Sequence, residues 1–153
     1  MRDNPGLSLI EVLLVTALIT LVVGALVHLG IMSLRTADQS KKEGIATELT
    51  REVLETARVQ RDSDTQTLFD NLVGVSGNGY YVLNSNTFSF VSVSEPTIPD
   101  ANFAVSGHDG FYRVVNFELT DINTLSTWVK TYWQQASGRW DNVRSGTVLT
   151  RWR

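Results

Sequence analysis

The chain has 153 residues, 42% of them hydrophobic, and a formal net charge of −3 at pH 7. It contains no cysteine, which excludes a fold held together by disulfides and excludes thiol chemistry. When the apolar N-terminal run is set aside, enough residues remain for one small domain, and the mild net charge by itself indicates no class of partner.

The apolar run near the N-terminus is the first predicted element. From Val12 to Leu34 the chain has no Asp, Glu, Lys or Arg, and this stretch is slightly longer than the ~20 residues of helix that a bilayer core requires. In lipid the backbone must satisfy its own hydrogen bonds, so such a run is stable only as a helix. The sequence therefore predicts a transmembrane helix over residues 7–34.

Glu11 places a carboxylate at the start of this run. A charge in hydrocarbon costs about 2.5–3.5 kcal/mol at the membrane centre and less near its edge. Two interpretations are open on physical grounds. In the first, the segment is a single-pass anchor and the N-terminal dipole of the helix favours Glu11 at the interface. In the second, the segment leaves the membrane to pack against related segments, and Glu11 neutralises a positive group of a neighbour.

Small and polar residues share one face of the predicted membrane helix. Thr16, Thr20, Gly24 and His28 recur at intervals of four residues, and such a stripe allows close approach between helices in an apolar setting. The alternative is that threonine and glycine are merely tolerated at these positions. The stripe predicts a helix-packing face, and Gly24 and Gly30 leave local unwinding of the helix undetermined.

After Leu34 the chain becomes strongly charged but keeps a helical apolar pattern. Residues 35–61 hold eleven charged side chains, and no proline occurs between Leu7 and Pro96. We therefore predict one helix from about Leu7 to about Arg61, whose second half is amphipathic and half covered by the rest of the chain. The apolar residues that recur every four positions are Ile45, Leu49, Val53 and Ala57.

The remaining residues, 80–153, are predicted to form short strands joined by turns. Phe111–Leu119 alternates between apolar and polar residues, so Phe111, Val115, Phe117 and Leu119 are expected to cover the helix. Strands joined by turns form an antiparallel sheet. The predicted fold is therefore α+β, with the long helix packed on a small antiparallel sheet and residues 35–153 forming one globular domain. The other predicted strands are Tyr80–Leu83, Thr87–Val93, Trp128–Trp133 and Thr147–Trp152, with loops at Glu95–Gly110 and Ala136–Gly146.

Residues able to carry catalysis or to bind a metal are few. The chain has two histidines and neither a His-x-x-x-His nor a Gly-x-Ser-x-Gly pattern, so no zinc or nucleophilic site is visible. His108-Asp109-Gly110 is typical of a turn. Glu95, Asp100, Asn102 and Asp109 share one loop without the spacing of an EF-hand, which favours solvated turn carboxylates over the alternative of a calcium site. We expect no enzyme activity, no cofactor and no metal site.

Basic and aromatic residues concentrate near the C-terminus. Residues 128–153 hold all four tryptophans and five basic side chains against one aspartate. Exposed arginine beside tryptophan suits an acidic face of a neighbouring protein or a nucleic acid. The alternative is that the tryptophans serve packing at the edge of the sheet. The candidate partner surface consists of Arg139, Trp140, Arg144 and Arg151.

The N-terminal residues also carry a family resemblance. The stretch Gly6-Leu7-Ser8-Leu9-Ile10-Glu11-Val12-Leu13-Leu14 resembles the processing and assembly signature of type IV pilins and type II secretion pseudopilins. The resemblance implies that residues 1–6 are a leader removed after Gly6 by a prepilin peptidase, and that Leu7 becomes the methylated first residue. It also implies that Glu11 meets the N-terminal amine of an adjacent subunit in a filament.

This resemblance implies a function and a location. The chain is expected to be a minor pilin or pseudopilin, a structural subunit of a type IV pilus-like filament or type II secretion pseudopilus. Its partners are then other subunits, the prepilin peptidase and an inner-membrane assembly platform. It is expected in the inner membrane as a single-pass protein with a cytoplasmic N-terminus, and later in an extracytoplasmic filament. The alternatives are a filament-borne module that binds DNA or surfaces, and a plain membrane-anchored extracytoplasmic domain.

The C-terminal strands support the minor-subunit expectation. Trp128-Val-Lys-Thr-Tyr-Trp and the closing Leu149-Thr150-Arg151-Trp152 resemble the last strands of minor pilins and small pseudopilins. Many major pilins close a C-terminal loop with a disulfide, which a chain without cysteine cannot form. The resemblance therefore favours a minor subunit over the major one.

Overall fold

The computed structural model describes residues 8–63, 78–84, 89–94 and 96–151. The chain divides into two compact units, the first ending at Ser40 and the second beginning at Lys41. The predicted processing residues Gly6 and Leu7, together with Glu95 and Trp152, lie outside the described residues. The elements in chain order are α1 (Leu9–Ser63), β1 (Asn78–Asn84), β2 (Ser89–Val93), the 3₁₀ turn η1 (Ala101–Phe103), β3 (Phe111–Asp121), β4 (Thr124–Gln134) and β5 (Trp140–Thr150).

The first unit consists of the N-terminal part of α1. The helix begins at Leu9, where the Ser8 carbonyl accepts hydrogen bonds from the backbone N–H groups of Glu11 and Val12 at 2.9 and 3.2 Å. Every described residue of this unit is exposed, including the large apolar side chains up to Leu34. Among the described residues, α1 is the one helix long and apolar enough to cross a membrane, which fits a single-pass membrane protein.

The C-terminal part of α1 belongs to the second unit and buries one face. The predicted burial of Leu49, Val53 and Ala57 is confirmed, whereas Ile45 is only half-buried. The buried face is centred slightly to one side of the predicted stripe, and the helix continues to Ser63. The buried positions recur at helical spacing and are Ala46, Leu49, Thr50, Val53, Leu54 and Ala57.

The five described strands form one antiparallel sheet with the order β2-β1-β3-β4-β5. The strands β3, β4 and β5 have 11 residues each and follow one another as hairpins. On the other edge of β3, β1 pairs through residues 78–81, and β2 then pairs with β1. A long N-terminal helix with an antiparallel sheet is the α+β fold that the sequence predicts.

The side of the sheet that faces α1 forms the core. Phe111, Val115 and Phe117 of β3 are buried and Leu119 is partly buried, so the predicted partners of the helix are confirmed. A second cluster joins helix residues to Phe111 and to Trp133, which is 3% exposed. The main cluster combines Val53, Leu54 and Ala57 of α1 with Tyr81, Leu83, Val115, Phe117, Leu125, Val129 and Leu149 of the sheet.

Strand boundaries near the C-terminus differ from the prediction. The loop predicted over residues 136–146 is wrong, because the turn is confined to residues 135–139 and β5 follows at once. β4 also begins earlier than predicted, at Thr124. Asn142 and Gly146 disfavour a strand by propensity, but every residue of β5 pairs with one of β4, and this ladder outweighs the local preference.

Candidate functional site

Glu11 lies in the first turn of α1 among exposed apolar side chains. Leu9 and Ile10, which precede it, are 80% and 72% exposed. No described residue of this unit covers the apolar surface that continues from there to Leu34. A contiguous apolar surface of this extent indicates contact with lipid or with other protein segments.

The predicted helix-packing stripe lies along the same part of α1. Thr16, Thr20, Gly24 and His28 are all exposed. The Thr16 hydroxyl donates to the Leu13 carbonyl at 3.0 Å, and the Thr20 hydroxyl donates to the Thr16 carbonyl at 2.8 Å. Both hydroxyls are therefore satisfied within the helix and need no polar partner on a neighbour. The packing role of the stripe stays a prediction.

A partly buried ion pair joins α1 to the sheet in the second unit. Arg113 of β3 is 4% exposed. Its Nη1 donates to Glu52 Oε2 at 2.6 Å and to the Leu49 carbonyl at 3.1 Å. The sequence places Arg113 on the apolar side of β3 but gives no partner for it. The position of Arg113 on the core-facing side of β3 does indicate that a partner exists, because a buried charge without a partner is costly. It does not indicate which residue the partner is.

Two threonines form a second polar contact between α1 and the sheet. The hydroxyls of Thr50 and Thr131 lie 2.8 Å apart, and both residues are buried. The Thr50 hydroxyl also lies 2.8 Å from the Ala46 carbonyl, to which it donates. Hydrogen bonds are directional, so this contact and the ion pair define the rotation of the helix about its axis on the sheet. Apolar packing alone would define that rotation less specifically.

The side of the sheet that faces away from α1, which we call the outer face, is rich in aromatic and basic side chains. The rings of Tyr80 and Trp128 lie edge to face with centroids 6.2 Å apart, and those of Tyr112 and Trp140 lie 5.3 Å apart. The sequence pattern of β4 predicts that Trp128 lies on the side opposite the buried Trp133, and this is confirmed.

Tyr132 lies on the outer face and stays neutral at physiological pH. Burial is the largest cause that raises its pKa above the ordinary value of 10.0, nearby Tyr80 raises the pKa further, and the Arg144 guanidinium partly opposes both effects. The phenol therefore offers a hydroxyl group to a ligand but no negative charge that would neutralise the nearby cation.

The four residues of the predicted partner surface occupy different settings. Arg139 is exposed in the turn between β4 and β5, and Trp140 begins β5 on the outer face. Arg144 lies further along β5 with its Cζ 4.9 Å from the centre of the Trp128 ring. Arg151 is half-buried after β5, and its backbone N–H donates to the Asn123 carbonyl at 2.8 Å.

The outer face also contains a residue that the partner-surface prediction did not include. Lys130 lies on β4 directly opposite Arg144, and its Nζ lies 5.3 Å from the centre of the Trp128 ring. The sequence alternation places Lys130 on the same side of β4 as Trp128. Its proximity to Arg144 depends on the extent of β5, which the sequence did not reveal.

Within the described part of the chain, no group of three or more His, Asp or Glu side chains is placed to hold a metal ion. His108 lies in an exposed turn, with its ring edge-on to Phe111 at 6.4 Å between centroids. The turn is closed by a hydrogen bond from the Phe111 N–H to the His108 carbonyl at 3.2 Å. This geometry matches the predicted turn over residues 108–110.

Comparison of the chain with models of protein families, with curated proteins and with solved structures finds no match. The observed combination of one long apolar N-terminal helix with an antiparallel sheet is compatible with a pilin-like fold. A functional assignment therefore depends on the residues of this chain alone.

Proposed function

We propose that this protein is a minor pilin or pseudopilin, a structural subunit of a type IV pilus-like filament or a type II secretion pseudopilus. The observation that carries the proposal is the exposed apolar surface of α1 from Leu9 to Leu34, whose first turn holds the carboxylate of Glu11. In a plain anchor the helix dipole alone favours a carboxylate there, whereas a bundle of such helices can also pair it with an amine.

The second unit supports the same proposal. Beyond the apolar stretch, the same helix enters the core of an antiparallel α+β unit through Leu49, Val53 and Ala57. One continuous helix thus has an apolar part with no partner in the described chain and a part that anchors a folded unit. This division suits a subunit whose N-terminal helix makes the contacts within a filament while the folded unit lies outside that bundle.

In the proposed role the chain is inserted, processed and assembled in that order. The chain begins as a single-pass inner-membrane protein with its N-terminus in the cytoplasm, and a prepilin peptidase cleaves it after Gly6. The assembly platform then transfers the mature chain, which begins at a methylated Leu7, into the filament. There the Glu11 carboxylate pairs with the N-terminal amine of an adjacent subunit, which removes the cost of an isolated charge in apolar surroundings.

N-terminal processing tests the proposal directly. The full chain is produced together with a prepilin peptidase, and its N-terminal peptide is identified by mass spectrometry. The expected product begins at Leu7 and carries one methyl group, and Gly6→Val serves as a control that retains the leader. If the protein recovered from cells with the peptidase still begins at Met1 or Arg2, the proposal is wrong and the alternative of a plain membrane-anchored domain is favoured.

A further inference from the structure

Two positive side chains share one aromatic ring on the outer face. Lys130 and Arg144 are direct cross-strand neighbours on β4 and β5. The Lys130 Nζ lies 5.3 Å and the Arg144 Cζ 4.9 Å from the centre of the Trp128 ring. Neither side chain forms an ion pair with a described carboxylate. We call these three residues the cationic cluster.

The charges of the cationic cluster are not compensated within the described sheet. Like charges directly opposite each other on a sheet repel, and cation–π attraction to Trp128 offsets the repulsion without adding negative charge. On β3 the carboxylate nearest in register on the outer face is that of Glu118, which pairs with Ser126. Ser126 is four residues from Lys130, about 13 Å along a strand. The cluster therefore favours an anionic partner.

An open groove lies beside the cationic cluster and includes Gly146. Gly146 is opposite Trp128, and a Cβ there would lie 3.0 Å from the Thr127 carbonyl oxygen and 3.5 Å from the Trp128 Cβ. Glycine therefore permits the close approach of β4 and β5 at this point, beside an open groove of about 420 Å³. On β4 the side chain of Ser126 lies on the outer face beside Trp128, whereas Thr127 is buried and its hydroxyl donates to the Asn116 carbonyl at 3.1 Å. The Ser126 hydroxyl can donate a hydrogen bond to an anion held by the two cations. Besides Trp128, Arg144 and Gly146, the groove is lined by Ser126, Thr127, Ser145, Thr147 and Val148.

The arrangement favours carboxylates of a protein over a nucleic acid. Sites for single strands combine a basic groove with aromatic faces on which bases stack. Here two cations already lie over the Trp128 ring, and Tyr80 approaches it at an interplanar angle of 75°. Acidic residues also outnumber basic ones before position 128, which opposes a polyanion at long range. A short acidic segment needs only the cations and the donors of the groove.

We propose that the cationic cluster docks a glutamate- or aspartate-bearing segment of a neighbouring protein subunit. The carboxylates bind Lys130 and Arg144, and Trp128 holds the two cations in place. That the neighbour belongs to a filament rests on the proposed function, whereas the preference for carboxylates does not.

The test uses the full-length protein in neutral detergent micelles and isothermal titration calorimetry. The probes are an oligoglutamate peptide, an uncharged oligoglutamine peptide and a single-stranded oligothymidine. We expect oligoglutamate to bind, oligoglutamine not to bind, and the affinity for oligoglutamate to fall as salt is raised. Lys130→Glu with Arg144→Glu should weaken oligoglutamate binding about tenfold or more, because two attractions become repulsions.

A matched charge change separates the cluster from the general field of the protein. Lys41→Glu with Arg51→Glu alters the net charge by the same amount at exposed positions of α1, and it should weaken binding far less. Trp128→Leu keeps both cations but removes the ring that holds them, so it should weaken binding several-fold. Circular dichroism verifies that each variant is folded.

Three results would overturn the inference: no oligoglutamate binding, equal losses in the two double variants, or tighter binding of oligothymidine that is lost with Lys130 and Arg144. The last result would assign the cluster to nucleic acid. The proposed filament role is tested by a different measurement, and an uncleaved N-terminus in the mass spectrum would contradict it. Carboxylate binding with an uncleaved leader would therefore remove the filament role while leaving the docking site intact.

Discussion

The Arg113 Nη1 and the Glu52 Oε2 lie 2.6 Å apart, and this pair links β3 to α1 at the margin of the core. The two side chains differ sharply in exposure, at 5% for Arg113 and 41% for Glu52. The guanidinium is thus almost fully removed from water while its carboxylate partner remains partly solvated. The arginine depends on the pair more than the glutamate does, because a buried charge without a partner is costly.

Removing the carboxylate should therefore destabilise the second unit. Glu52→Ala leaves Arg113 with the Leu49 carbonyl as its remaining partner, and we expect a loss of about 1–3 kcal/mol in the free energy of unfolding. Water can reach the vacated position, which keeps the loss below that of a fully buried pair. Urea denaturation of a truncated chain beginning at Arg35 measures the loss.

Glu55→Ala is the matched control for this substitution. Glu55 lies three residues further along α1 and pairs with Arg58, and both side chains are largely exposed. The same change there should cost no more than about 0.5 kcal/mol. Equal losses for the two variants would show that the Arg113 pair contributes nothing beyond a surface contact.

Leu49→Ala tests the helix–sheet core. Leu49 is 6% exposed and packs in the cluster with Phe111 and Trp133, so we expect a loss of about 2–5 kcal/mol in the free energy of unfolding. Val59→Ala on the same helix is the control, because Val59 is 64% exposed and should change stability by less than about 0.5 kcal/mol. A loss below about 1 kcal/mol for Leu49→Ala, measured in the same denaturation, contradicts the packing described.

Alkaline pH should weaken the fold through Tyr81. Burial raises the pKa of its phenol above the ordinary 10.0, so the folded state favours the neutral form. This contribution to stability is complete below pH 10.0 and is lost as the pH rises through the pKa of the folded state. Tyr81→Phe should reduce the loss of stability above that pH, as followed by urea denaturation at several pH values. An unchanged pH profile in the variant would assign the alkaline loss to other groups.

Glu11→Ala tests the assembly role of the N-terminal helix. The variant should insert into the membrane and be cleaved normally, because it removes only an exposed carboxylate from an apolar surface. Its incorporation into filaments should fall strongly, since the amine of an adjacent subunit loses its counter-charge. Immunoblots of sheared filaments against membrane fractions give the ratio. Glu43→Ala, the same change at an exposed position of α1, should assemble normally, and equal incorporation of the two variants would refute the pairing.

The sequence predicts the elements of this fold whose pattern is local. The apolar run, the stripe through Leu49 and Val53, and the alternation of β3 depend on periodicity within one element, and each is found in the structure. The buried side of β4, which includes Val129 and Trp133, follows from the same alternation.

What the sequence does not predict depends on partners distant in the chain. Asn142 and Gly146 are poor strand formers, and their pairing with β4 makes them part of β5. The alternation of β3 places the charged Arg113 on the core-facing side of the strand. It does not identify Glu52 as the partner, because Glu52 lies on α1. The cationic cluster likewise requires β5 to place Arg144 opposite Lys130. The extent of β5, the Arg113–Glu52 pair and the cationic cluster all depend on contacts between different elements. Such contacts cannot be recognised from the residue pattern within one element.

The core joins residues that are made at very different times. Val53 of α1 and Leu149 of β5 belong to the same buried cluster, although β5 is the final strand of the described sheet. A chain is synthesised from its N-terminus, so the apolar face of α1 stays uncovered until nearly the whole sheet has been made. Exposed apolar surface of this kind promotes aggregation. A holding factor at the membrane surface would cover this apolar face during the interval, and rapid formation of the local hairpins from β3 to β5 would shorten the interval. A ribosome stalled before β5 should therefore yield a protease-sensitive chain.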